Sequence, residues 1–178
     1  MSSEAAVIAA RWRPWALPAR ESDWGALYAA HLPRIYNYFR YRVGDGPDAE
    51  DLTAITLEKA WRHRARFRRD LGAFTTWLYA IARNVAVDHW RRRRETAPLE
   101  DAEPLDTGDT PEDAAARRSD FERLGRLLAL LPEREREVLS LKYGADMTNR
   151  AIAKLTGLSE SNVGTILHRT IRQLRAAW

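Results

Sequence analysis

Thr148-Asn149-Arg150-Ala151-Ile152-Ala153-Lys154-Leu155-Thr156-Gly157-Leu158-Ser159-Glu160-Ser161-Asn162-Val163 reads as a short helix, a turn and the start of a longer helix. The first N–H groups of a helix lack partners, and Thr148 and Ser159 each stand where a side-chain oxygen can accept one. Thr156-Gly157 makes the turn. Leu158, just before the second cap, and Val163, four residues after it, form a hydrophobic staple that fixes the angle at which the chain enters the helix. Ile152, Leu155, Leu158, Val163, Ile166, Leu167 and Leu174 then face inward together. A short helix, a glycine turn and a longer capped helix make a helix-turn-helix.

Working outward, Phe121, Leu124, Leu127, Leu128 and Leu131 predict a helix closed by Pro132, and Glu133, Val138, Leu139 and Leu141 predict another that stops at Gly144. Nearer the N-terminus, Trp24, Leu27, Tyr28, Leu32, Ile35, Tyr36 and Phe39 recur at steps of three and four. Gly44-Asp45-Gly46-Pro47 breaks that stripe, and Asp48, Glu50 and Asp51 open the next helix with the negative charge that a helix N-terminus favours. A third helix follows the Arg68 to Gly72 loop, with Phe74, Trp77, Leu78, Ile81, Ala82 and Val85 on its apolar face, and runs into Arg91-Arg92-Arg93-Arg94. Alternation of the kind that marks strands is absent. The expected fold is all-α: two small helical domains joined by an acidic flexible linker, with an N-terminal extension over 1–22, a helical bundle over 23–94, the linker over 95–120 and the helix-turn-helix domain over 121–178.

Charge follows the same division. Residues 1–94 carry 17 basic and 10 acidic side chains, residues 95–122 carry 2 and 10, and residues 123–178 carry 10 and 5. The acidic strip also holds Pro98, Pro104, Gly108 and Pro111, a composition unsuited to a buried core. It is either a solvated tether or a polyanion that mimics nucleic acid. The basic lobes point to a polyanion partner, because four consecutive arginines exceed what a helix C-terminus needs.

Two surfaces suit nucleic acid in different forms. On the last helix, Asn162 and Thr165 are candidates for base edges in a major groove, and Arg169, Arg172 and Arg175 lie where phosphates would pass. In the first lobe, arginines alternate with rings: Phe67, Arg68, Arg69, Phe74, Trp77, Tyr79, Arg83 and Trp90. Single strands favour that mixture, because unstacked bases lie on aromatic faces while cations follow the backbone. Helical spacing also accounts for Phe74, Trp77 and Trp90 as core residues, so both roles stay open.

Catalytic chemistry is not indicated. The chain has no cysteine, no glycine-rich phosphate loop and no paired-histidine metal spacing, His31, His63, His89 and His168 being far apart. No cofactor is expected. The apolar run Ala5 to Ala10 lacks the basic flank of a signal peptide, and a cytoplasmic protein without membrane insertion is the expectation.

Asp48 to Trp61, Phe74 to Asn84 and Asp88 to Arg92 together resemble the second conserved region of bacterial extracytoplasmic-function (group IV) sigma factors. Leu131 to Leu139, followed by Ile152-Ala153, Leu155, Gly157-Leu158-Ser159, Val163 and Leu167-His168-Arg169, is similar to their fourth region. The resemblance implies a promoter-specificity subunit that makes RNA polymerase core start transcription at chosen sites. It would place Asp48, Glu50, Asp51 and Leu52 on the helix that binds the polymerase clamp helices. The −10 promoter element, opened to a single strand, would meet Arg68, Arg69, Trp77, Arg83, Asn84, Asp88, Arg91 and Arg92, with the Arg68 to Ala73 loop capturing a flipped base. Ser161, Asn162, Thr165, His168, Arg169 and Arg172 would read the −35 element as duplex, in a domain that also touches the polymerase flap. The acidic segment would thread toward the RNA exit channel, and an anti-sigma protein is a partner that such factors often have. Departures are Ala54-Ile55, where the family often carries Gln-Glu, and Gly164 and Ile166, where Lys and Arg are common. A glycine inside a helix suggests close backbone approach or a weaker helix. The alternative is an autonomous helix-turn-helix regulator that binds duplex DNA without polymerase.

Overall fold

The aromatic stripe of the first lobe forms α1 (Ser22–Val43), in which Ile35, Tyr38 and Phe39 are fully buried. In a computed structural model of the protein, residues 22–44, 46–67, 74–96 and 111–178 are described. α2 (Pro47–Arg62) begins at a proline, whose missing N–H matters least at the first helical position. On its core face the Thr53 and Thr56 hydroxyls donate to the Ala49 and Leu52 carbonyls at 2.7 and 2.8 Å, so these buried polar groups are satisfied within the helix. A 3-10 turn (Arg64–Arg66) leads to Phe67, and α3 (Phe74–Thr96) crosses back over α2, burying Leu78, Tyr79, Ala82, Val85 and Ala86.

The second lobe comprises α4 (Pro111–Ala129), α5 (Glu133–Leu139), α6 (Asn149–Thr156) and α7 (Glu160–Ala177). α5 widens at its end into a π turn (Ser140–Gly144), where the Ala145 N–H reaches back to the Ser140 carbonyl at 3.0 Å. The expected caps form. The Ala151 N–H donates to Thr148 Oγ1 and the Asn162 N–H to Ser159 Oγ, both at 3.2 Å. Gly157 ends α6 in the left-handed region (φ 75°), its N–H bonded to the Ala153 carbonyl.

Among the described residues every regular element is helical, so the chain is all-α as expected. The structure adds two details to the sequence expectation. Helix extends into the stretch assigned to the linker: α3 continues to Thr96 and α4 starts at Pro111. The rest of that stretch, 97–110, lies outside the described residues, as do residues 1–21. In addition, the lobes pack against each other. α1 packs along the π turn, and one continuous core joins Ile35, Tyr38, Tyr79 and Ala82 of the first lobe to Val138, Leu141, Ile152 and Val163 of the second.

Candidate nucleic-acid interface

Six rings gather where α1, α2 and α3 converge. Trp24 lies 5.4 Å from Phe74 and 6.1 Å from both Phe67 and Trp77. Phe67 is 5.4 Å from Phe74 and 5.3 Å from Trp77, and Tyr28 bridges Trp24 to Trp61. Most pairs meet edge to face or tilted, the geometry that suits the ring quadrupoles. Phe67 and Phe74 flank residues 68–73, so their contact pins the two ends of that segment together; Arg68 and Arg69 themselves lie outside the described residues. All six rings are half-buried, which leaves aromatic surface for a partner, whereas Tyr79, expected among the interleaved rings, is wholly core. Arg64 stacks over Trp61 at 3.7 Å and supplies a cation at the rim. His31 packs 5.3 Å from Phe74, and burial, reinforced by nearby Arg34, lowers its pKa from 6.5.

Along α3 the candidate residues separate. Asn84, Arg91 and Arg92 are exposed. Asp88 holds Lys59 of α2 at 3.7 Å and Arg91 at 3.2 Å, which makes it a positioning group between helices. Trp77 belongs to the ring cluster. Arg83 is engaged across the lobes, its Nε donating to Glu137 Oε1 at 2.6 Å, and that bond raises its already high pKa. On α2, Asp48, Glu50 and Asp51 are exposed, and Asp48 lies 3.6 Å from Arg93 and 3.8 Å from His89 of α3. Leu52 differs from these three in exposure. At 4% exposure it is a core side chain, because the helix turns it away from its acidic neighbours toward the bundle.

α7 presents its candidate reading face to solvent. Ser161, Asn162, Thr165, His168, Arg169 and Arg172 are all exposed, while Val163, Ile166, Leu167 and Thr170 are buried behind them. Thr165 Oγ1 donates to the Ser161 carbonyl at 3.0 Å, leaving its lone pairs outward. Arg169 is tied on one side to the buried Glu135 carboxylate, which also accepts from Thr170. Its planar head is thereby held on one side by a charge-assisted bond. Ile166, where the family often carries a cation, is 6% exposed and packs inward. Gly164 makes no close approach: a Cβ there would meet only Asn149 Nδ2 at 3.9 Å.

Residues 27–96 match the Sigma-70 region 2 family and residues 121–174 the Sigma-70, region 4 family. The ECF RNA polymerase sigma factor SigF of Caulobacter vibrioides is 35% identical over 147 residues, 79% of this chain and 77% of SigF. The chain belongs to the extracytoplasmic-function RNA polymerase sigma factors. BldN of Streptomyces coelicolor is 30% identical over 160 residues, 88% of this chain and 61% of BldN, so the chain spans under two thirds of that relative. In fold the chain resembles CnrH, solved with the cytosolic domain of CnrY (TM-score 0.68, 24% identity, 97% of this chain and 93% of CnrH). It also resembles RpoE of Bartonella quintana, solved with the anti-sigma factor NepR (TM-score 0.68, 21% identity, 86% of this chain and 95% of RpoE).

In this sigma factor the sequence left one set of residues unremarked. Glu133, Glu135 and Glu137 alternate with arginines on α5, and helical geometry sends them two ways. Glu133 and Glu137, one turn apart, face the first lobe and hold Arg42 and Arg83. Glu135 faces α7 and holds Arg169. The i, i+4 spacing signalled a shared face, but nothing local named its partners. Arg136, between them, caps α4 through the Ala129 and Leu131 carbonyls at 3.1 and 3.0 Å and lies 5.5 Å over the Trp90 ring; burial lowers its pKa. Among the described residues no cluster of His, Asp and Glu could hold a metal, and no helix is long and apolar enough to cross a membrane.

Proposed function

We propose that this chain is the promoter-specificity subunit of RNA polymerase in the cytoplasm, a group IV factor that binds core, opens the −10 element and reads the −35 element. The observation that carries the proposal is the pairing, in one chain and in order, of a half-exposed ring cluster in which Phe67 meets Phe74 and an exposed candidate reading face on α7. The cluster suits unstacked bases, since each base stacked on a ring contributes about 1 to 3 kcal/mol whatever its identity. The α7 face suits duplex, where Asn162 and Thr165 reach base edges and Arg169 and Arg172 reach phosphates. Asp48, Glu50 and Asp51 offer polymerase an exposed acidic patch at the start of α2. That CnrH and RpoE were solved with CnrY and an anti-sigma factor supports an anti-sigma protein as a further partner of this chain.

Run-off transcription with purified core on genomic templates tests the proposal. Discrete start sites that appear only with the chain present are expected, and Asp51→Arg should abolish them while leaving the helical content intact. Transcription no different from core alone would refute it. A footprint by the chain alone as strong as that of the holoenzyme would favour the autonomous regulator.

A further inference from the structure

Glu135 offers DNA little surface of its own, yet both of its carboxylate oxygens are engaged by α7. Its side chain is 11% exposed, whereas that of Arg169 is 65% exposed. Oε1 accepts from Arg169 Nη2, and Oε2 accepts from Thr170 Oγ1 at 3.4 Å. The two donors are neighbours in sequence with different surroundings: Thr170 is fully buried, and Arg169 reaches solvent. A carboxylate taken out of water is stable only when its charge is answered. The pair is therefore reciprocal, Arg169 compensating the burial of Glu135 and Glu135 fixing where Arg169 stands.

The other α5–α7 contacts do not fix an orientation in this way. Val138 of α5 and Val163, Ile166 and Leu167 of α7 share one apolar core, and apolar burial is non-directional. A charge-assisted bond has a length and an angle. Arg169 lies one turn beyond Thr165 and two turns beyond Asn162, so the anchored residue shares a helix face with the two candidates for base edges. An arginine carries five N–H donors in a planar fork, and the bond to Glu135 uses Nη2, which leaves other donors for a phosphate. A long side chain that is free in solution loses rotamer freedom on reaching DNA; one already held loses less.

We infer that Glu135 is a positioning residue for duplex reading: without touching DNA, it holds Arg169 where a phosphate is met while Asn162 and Thr165 face the bases. The inference rests on the proposed promoter-binding function and deepens it at the α7 face. A carboxylate near a phosphate also repels it, and the two effects have opposite signs. Removing the charge at 135 weakens binding if orientation governs and strengthens it if repulsion governs.

Holoenzyme assembled from core and this chain is titrated with a fluorescein-labelled duplex taken from just upstream of a start site found by run-off transcription. Glu135→Gln keeps the shape of the side chain and an acceptor for Thr170 but loses the charge. It is expected to weaken binding about two- to tenfold, the effect of returning rotamer freedom to one long side chain. The salt slope should not change, because Arg169 still neutralises its phosphate. Arg169→Ala should weaken binding and make the slope shallower by about 0.9. Added to Arg169→Ala, Glu135→Gln should have no further effect on affinity, whereas a merely structural role would lower it in both backgrounds. Unchanged or tighter binding by Glu135→Gln, or an equal loss with and without Arg169, overturns the inference. If Glu135→Gln lowers helical content, Arg169→Lys carries the test, since it keeps the charge and replaces the planar fork by a point charge. Weaker binding with the slope unchanged is then expected, and full affinity overturns the inference. Run-off transcription separates the two proposals: no start sites with the wild-type chain defeats the promoter-binding function, and start sites with wild type beside undiminished duplex affinity in Glu135→Gln defeats the positioning role alone.

Discussion

Gly157 closes α6 at φ 75°, where a Cβ meets backbone strain, so Gly157→Ala is expected to lower the unfolding free energy by about 1 kcal/mol in urea titration. Gly164 predicts the opposite sign. It lies inside α7 with room for a methyl group, and Gly164→Ala should raise stability by about 0.5 to 1 kcal/mol, because the substitution only removes backbone freedom from the unfolded chain. The two results together would show that the departure from the family at 164 is not enforced by packing. His31 supplies the pH dependence at this scale. Burial, with Arg34 second, lowers its pKa from 6.5, so folding favours the neutral ring. That contribution is present above pH 6.5 and is lost as the pH falls through 6.5 toward the folded value, where the native ring must charge. A His31→Gln chain should therefore lose less Tm than wild type between pH about 7 and about 5. The Tyr38 hydroxyl, pushed up to about 12 chiefly by burial, stays neutral throughout that range.

At the scale of elements, α3 combines three jobs along its length: ring cluster at the start, core in the middle and cations at the end. The cations are not equivalent. All three of Arg91, Arg92 and Arg93 are exposed, but Arg93 reaches Asp48 on α2, whereas Arg91 is bonded within its own helix, to Asp88. Replacing Arg91 and Arg92 by alanine should make the salt dependence of single-strand binding shallower by about 0.7 for each phosphate no longer neutralised. An unchanged slope would show that they serve the protein and not DNA. The start of α4 at Pro111, ahead of the family match that begins at 121, shows a helix opening that composition alone hides. Pro111 followed by Glu112-Asp113-Ala114-Ala115-Ala116 is a good helix opening, but acidity and upstream prolines gave the whole strip the look of a tether. α7, in contrast, was legible to the residue, because caps, staple and apolar period are all encoded within one or two turns.

For the whole molecule, the seating of one lobe on the other ties their stabilities together. Calorimetry of the wild-type chain should give one transition whose van't Hoff and calorimetric enthalpies agree, and Gly144→Ala should split or broaden it as each lobe melts alone. A single sharp transition in the variant would place the coupling elsewhere. The sequence by itself determined the helices, the α6 and α7 caps and the two family regions, since these depend on spacing over a few residues and on local charge. Only the tertiary structure decided that Leu52 is core, that Arg83 is claimed by Glu137 54 positions away and Arg42 by Glu133 91 positions away, and that Gly144 is a contact as well as a helix stop. An arginine that faces water, a phosphate or a distant glutamate is written the same way in the chain. Its partner is chosen by how the helices pack, which local periodicity does not encode.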